Sequence, residues 1–121
     1  MDQNAFNAFC GSLSHTTHVV QWGNADVWKV GGKLFAIGGH NKGTGQYSVT
    51  FKVSDMGFEI LPDMPGVRPA PYLASRGMKW VQHYDLPGLS DAELQNHIRA
   101  SYEMIRDKLT KKLKRELGFD A

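Results

Sequence analysis

Five histidines, seven serines, one cysteine and two runs of basic residues are the side chains of this 121-residue chain that could do chemistry. His15 and His18 stand three apart, but the threonines and valines around them favour an extended backbone. There is no cysteine pair and no His-Glu-x-x-His arrangement, so no metal centre is expected. None of the serines sits in a Gly-x-Ser-x-Gly setting, and Ser90 is better explained as a helix cap. Acid–base hydrolysis needs two facing carboxylates, whereas the acids here are scattered over helices and turns. Cys10 lies on an apolar helical face and reads as a small core residue. We therefore expect no catalytic residue, no metal ligand and no cofactor, and we expect the chain not to be an enzyme.

What remains is charge. The net charge is only +2, but its distribution is uneven. From Arg106 to Arg115 six basic residues face one acid, Asp107, and from Lys29 to Lys79 seven face Asp55, Glu59 and Asp63. Either run is an ordinary solvated surface or a phosphate-facing one. Residues 38–46, Gly-Gly-His-Asn-Lys-Gly-Thr-Gly-Gln, have the look of a phosphate cradle. They fail the P-loop pattern, because Lys42 precedes Gly43 and a strand follows where a helix is needed. They read as the mobile tip of a hairpin, either merely flexible or able to bring Lys42 and His40 to a nucleic-acid backbone.

The elements that must position these groups follow from periodicity. Asp2 caps a helix over residues 2–12 whose apolar face carries Phe6, Phe9, Cys10 and Leu13. Thr16 to Trp22 is β-branched and extended. Val27–Val30 and Lys33–Ile37 flank Gly31-Gly32, a pair that tolerates positive φ at both turn positions, so they form a tight hairpin. Tyr47 to Val53 alternates cleanly. Tyr47, Val49, Phe51 and Val53 point one way and Ser48, Thr50 and Lys52 the other, which predicts one buried and one wet face. A short helix runs from Ser54 or Asp55 to Leu61. Prolines 62, 65, 69 and 71 then hold an irregular connection, followed by strands at Tyr72-Leu73 and Lys79–Tyr84. Ser90 and Glu93 form a capping box that opens a helix over 90–117, with apolar residues at steps of three and four from Leu94 to Leu117 and Gly118 at its end. Trp28 alternates with Val30 and faces the core. Trp80 either stands with Lys52 and Lys29 on an open sheet face, as a base-stacking platform, or packs under the last helix.

A hydrophobic fraction of 41% over 121 residues fits one domain with a core of its own, residues 1–121. No apolar run approaches the ~18–20 residues a membrane span needs. Met1-Asp2-Gln3-Asn4 does not open a secretory signal, and a lone cysteine offers no disulfide framework. A cytoplasmic location is expected. Terminal helices on the same face of an antiparallel sheet make an α+β two-layer sandwich.

The stretch Asp26-Val27-Trp28-Lys29-Val30-Gly31-Gly32-Lys33-Leu34-Phe35-Ala36, the strand Ser48–Lys52, Pro71-Tyr72-Leu73, Lys79-Trp80-Val81, Leu89–Leu94 and Ser101-Tyr102 together resemble the MmcQ/YjbR family. That resemblance implies a frataxin-type, CyaY-like sandwich and a DNA-binding role, and it carries no catalytic residues over. Frataxins that bind iron look acidic along the first helix, whereas here Asp2 is the only acid before Asp26. The combined expectation is a small non-enzymatic module that contacts DNA phosphates largely without sequence specificity, through Lys42, Arg76 and Lys79 on loops and Lys52 on the sheet. The rival, from another class, is a protein–protein adaptor that docks a partner on the open sheet face.

Overall fold

The computed structural model describes residues 1–119. Helix α1 (Gln3–Ser12) leads into strands β1 (Thr16–Gln21), β2 (Ala25–Val30), β3 (Lys33–His40) and β4 (Tyr47–Lys52). Helix α2 (Asp55–Ile60) continues into a 3-10 turn at Leu61–Asp63, and β5 (Val67–Pro69) and β6 (Trp80–His83) complete the sheet. Helices α3 (Asp91–Asp107) and α4 (Lys111–Glu116) end the described chain. The strands form one sheet in the order β1-β2-β3-β4-β6-β5, with every neighbouring pair antiparallel.

One cluster of buried side chains unites both helical ends with the sheet: Phe6 and Cys10 from α1, Leu94, Ile98 and Tyr102 from α3, and Phe35, Val49, Phe51 and Val81 from the strands. Both helices therefore cover one face, as expected of a two-layer α+β sandwich. The caps are those read from the sequence. Asp2 accepts from the Ala5 amide, and Ser90 and Glu93 make a reciprocal capping box.

The expected β2–β3 hairpin turns on Gly31 and Gly32, with φ of 58° and 77°. Beyond the turn the register slips. Lys29 pairs with Leu34 but Trp28 pairs with Ala36, so Phe35 is an extra residue in a β-bulge. Its carbonyl is taken up by Ser101, which lies fully buried on α3. The Ser101 hydroxyl donates to the Phe35 carbonyl at 2.7 Å and accepts from the Lys52 amide at 2.9 Å. One helix side chain thus ties β3 to β4 at the point where the bulge interrupts the pairing of β3 with β2.

Four expectations need correction. The last helix does not run unbroken over 90–117. It ends at Asp107, and Thr110 caps a second helix by accepting from the Leu113 amide. The leucine stripe continues across the break because both helices pack on the same core, with Leu109 and Leu113 closing on the Gly31 turn, where a Cβ would strike them. Tyr72-Leu73 is not a strand. Tyr72 takes a left-handed φ of 68° and leads into a 3-10 turn at Ala74–Arg76, while the strand falls earlier, at Val67–Pro69. Strand β3 extends through His40, so the glycine-rich connection is only 41–46. That connection is tied down: the Asn41 amide donates to the Gln46 carbonyl, and the Thr44 hydroxyl donates to the Tyr84 carbonyl at 2.9 Å. Finally, the second face of β4 is not wet, since Ser48 and Thr50 are each only 5% exposed.

Truncating Phe51, fully buried at the centre of the core, should destabilise the domain by roughly 3–5 kcal/mol. Ser101→Ala removes few atoms but strands a carbonyl and an amide, so it should cost about 2–4 kcal/mol in urea melts. Losses for Ser101→Ala within about 0.5 kcal/mol would show that the bulge does not depend on this hydroxyl.

Candidate functional site

Because both long helices sit on one face, the other face of the sheet is left without a helix. Strand alternation and register place Ile37 and Gly39 of β3, Ser48 and Thr50 of β4, Gln82 of β6 and Arg68 of β5 side by side on that face. They floor a groove of about 800 Å³. Gly39 lowers the floor at its centre. The walls come from turns: Trp22 between β1 and β2, Lys42 between β3 and β4, and Tyr72 and Arg76 between β5 and β6.

A polar ladder crosses the floor. The Gln82 amide nitrogen donates to the Thr50 hydroxyl at 3.2 Å, and the Gln82 oxygen accepts from Nε and Nη2 of Arg68 at 2.9 and 2.7 Å. The Arg68 guanidinium also lies 4.3 Å from the Tyr84 ring centroid. Its plane is therefore fixed while the rest of its five-donor fork stays available to an anion. Among the described residues the lining includes Lys42, Arg68, Arg76 and His40 and no carboxylate. No carboxylate pairs with Lys42, Arg68 or Arg76 among the described residues. The Ser48 hydroxyl is buried beneath the floor with no hydrogen-bond partner among the described residues, a condition that costs about 1–3 kcal/mol.

Two aromatics on the walls are held in unusual backbone. Trp22 has φ 48° and Tyr72 has φ 68°, left-handed values that cost a bulky residue about 1–3 kcal/mol each. They are also the two most exposed aromatics of the described chain, at 67% and 83%.

Of the four residues expected to meet phosphates, Lys42 and Arg76 line this groove. Lys52 and Lys79 do not. They lie at the far ends of β4 and β6, where Lys79 Nζ sits 4.9 Å from the Phe58 ring centroid. Burial, with nearby Lys108 adding to it, pulls the Lys52 ammonium below the ordinary lysine range. Arg68, Trp22, Tyr72 and Ser48 were not anticipated. The signal for Arg68 would have been the strand at Val67–Pro69, which sets it beside Gln82. Trp80 is neither an open platform nor under the last helix. Register puts it on the helix-free face, yet it is only 2% exposed and lies outside the main core cluster. The basic run near the C-terminus is divided by the break between α3 and α4, and Arg106 is engaged by Asp107 and by the rings of Tyr102 and Phe119.

On the helix side, His18 and Asp26 form a 2.8 Å pair. Asp26 also accepts from Tyr47 and Gln3. Burial pushes its carboxyl up, but the hydrogen bonds outweigh it and hold the group below the usual range. No serine or cysteine hydrogen-bonds to the His18 ring among the described residues, so the pair has no nucleophile to activate. Burial raises the Cys10 thiol far above its usual range, which keeps it protonated. No group of three or more His, Cys, Asp or Glu stands together as a metal site among the described residues, and no helix of those residues is long and apolar enough to cross a membrane.

A family model described as YjbR matches residues 11–104. No curated protein matches the chain. Among solved structures, the Deinococcus radiodurans protein DR2400, which has a DUF419 domain, superposes with a TM-score of 0.82 at 20% identity over 99% of this chain and 91% of that one. A Pseudomonas syringae protein superposes with a TM-score of 0.68 at 19% identity, over 87% and 99% of the two chains. At these identities the likeness is one of fold.

Buried His83 and half-buried His97 set an acid limit on the fold. Burial lowers both His83 and His97. The N-terminal ammonium adds to the effect at His83, while Asp91 and Asp85 oppose it there and Glu93 opposes it at His97. The folded state therefore prefers neutral rings, and the unfolded chain binds more protons below about pH 6.5. Stability should be flat above that value and fall as pH drops through the window beneath it. The Asp26 contribution should be present above about pH 4 and be lost as pH falls through its lowered value. Urea midpoints measured from pH 8 to 3 check both limbs, and replacing His83 and His97 by Gln should flatten the upper one.

Proposed function

We propose that this chain, which belongs to the YjbR family, is a non-enzymatic nucleic-acid-binding module that seats a phosphate backbone in the groove on its helix-free sheet face. One observation carries the reading: the groove gathers Lys42, Arg68 and Arg76, and among the described residues no carboxylate lines it. A concave site bordered by one sign of charge concentrates the opposite sign. Arg68 is the anchor, because Gln82 and Tyr84 already orient its guanidinium for a planar, bidentate acceptor. Contacts of this kind set position and affinity and carry no direct sequence information. Lys52 and Lys79 are assigned no part in it, since they lie away from the groove. A cytoplasmic location accords with such a ligand.

The adaptor reading keeps one feature in its favour. Strand β1 is an edge strand on which Val19 and Val20 are exposed, and an exposed edge can pair with another chain.

Salt separates the two. Labelled DNA titrated at 50 and 200 mM salt should bind more weakly at the higher concentration. The triple substitution of Lys42, Arg68 and Arg76 by Ala should weaken binding similarly for unrelated sequences. It should also flatten the slope of log affinity against log salt by about 2–3 units, at roughly 0.7–0.9 per lost phosphate contact. Absence of binding at 50 mM salt would end this reading and leave the adaptor.

A further inference from the structure

We infer that the nucleic acid this groove takes is a single strand, whose unpaired bases stack on Trp22 and Tyr72 while its phosphates lie on Arg68, Arg76 and Lys42. The inference rests on the nucleic-acid reading above and narrows it.

Shape argues first. Proteins that read a duplex push a convex element, a helix or a two-stranded ribbon, into a DNA groove. Here the relation is reversed, because the basic residues line a hollow of about 800 Å³. That volume is of the order of a drug-sized ligand site. It admits a few nucleotides of a flexible chain, and a duplex cylinder would ride over its rim without reaching Ser48 or Thr50.

The walls argue second. Trp22 follows β1 and Tyr72 follows β5, the two opposite edges of the sheet. Six strands at about 4.8 Å spacing set an upper span of roughly 24 Å between them. The two rings border one groove from opposite edges of the sheet, so each can serve its own base. Both are exposed, and both are held outward by left-handed backbone. A bulky aromatic is an unfavourable choice for that conformation, and two of them border one site. Strain of this kind clusters where a ligand is clamped. Sheet-based single-strand binders combine the same two ingredients, a basic groove and exposed rings, with site sizes of about 4–16 nucleotides.

The floor argues third. Thr50, Gln82 and Arg68 make a hydrogen-bonded polar ladder across it. The polar edges of unpaired bases can lie along such a ladder, whereas bases sealed inside a duplex cannot.

Trp22 supplies a direct probe, because the other two tryptophans, Trp28 and Trp80, are only 8% and 2% exposed. The experiment titrates the full chain with oligothymidylates of 4, 8 and 12 nucleotides, a 12-base-pair duplex and thymidine 5′-monophosphate, at 50 mM salt. The 12-mer single strand is expected to bind at least about tenfold tighter than the duplex and to quench the tryptophan emission. Trp22→Ala and Tyr72→Ala should each weaken single-strand binding about tenfold, as stacking platforms do, and leave duplex binding unchanged. Circular dichroism checks that the variants are folded, and the exposure of Trp22 and Tyr72 makes loss of fold unexpected. Duplex binding as tight as single-strand binding, with no effect of the two aromatic substitutions, would overturn this inference while the phosphate-binding reading stood. Monophosphate binding as tight as the 12-mer would overturn the strand. Failure of every nucleic acid to bind would remove both readings together.

Discussion

A single buried carboxylate ties the first helix to three strands of the sheet. Asp26, on β2, is only 3% exposed. It accepts from Gln3 of α1 at 2.9 Å, from His18 of β1 at 2.8 Å and from Tyr47 of β4 at 2.6 Å. A buried carboxylate is tolerable only when its oxygens are satisfied this fully. Losing any one partner would leave a charge in a low-dielectric interior. Four elements are thereby locked around one point. Gly38, which pairs with Asp26 across the hairpin, carries no side chain because the Tyr47 ring and hydroxyl pass where a Cβ would be. The first helix, the hairpin and the central strand are thus joined by chemistry as well as by apolar packing.

The arrangement of the second face follows from that one-sidedness. Trp28 donates to Asn7 and Tyr102 donates to the Ser14 carbonyl, so the α1 side and the α3 side are each pinned over the same layer. No helix is left to cover the opposite face. What covers part of it is the connection between β5 and β6, whose Tyr72, Leu73 and Arg76 reach the groove. Register then does the rest. Thr50, Gln82 and Arg68 occupy neighbouring positions on three adjacent strands, so their side chains bond in sequence across the sheet. The floor of the groove is the back of the core-bearing sheet.

How much of this was legible in the sequence depended on how far each signal reached. The Gly31-Gly32 turn, the Ser90–Glu93 capping box and the alternation from Tyr47 onward are decided within a few residues, and each is where the sequence places it. The break at 108–110 was hidden, because leucines at steps of four keep their phase across a kink when both halves face one core, and the Thr110 cap competes with that pattern from a single position. Strand β5 was hidden because three residues with a terminal proline carry almost no periodic signal, and its pairing is non-local. Missing it meant missing Arg68. The alternation of β4 separated its two faces correctly, but period two says nothing about what folds back over the second face. Lys52 was therefore expected to meet phosphates from an open sheet face, whereas it lies at the end of the strand away from the groove. Trp80 was ambiguous for the same reason.

Net charge is a poor guide to such a surface, because +2 averages over a whole chain. What a ligand meets is the local field. Asp91 and Asp107 are engaged by the N-terminal ammonium and by Arg106, and Asp26 is spent within the helical layer. These carboxylates serve internal bonds away from the groove, and among the described residues none lines it. Two strained aromatics, an unsatisfied Ser48 hydroxyl and unpaired cations in one concavity each subtract from stability. The apolar cluster on the other side of the sheet offsets them. A fold that invests its packing on one face can leave the other under-satisfied, and an under-satisfied concave face gains most when something polar and flat is laid into it.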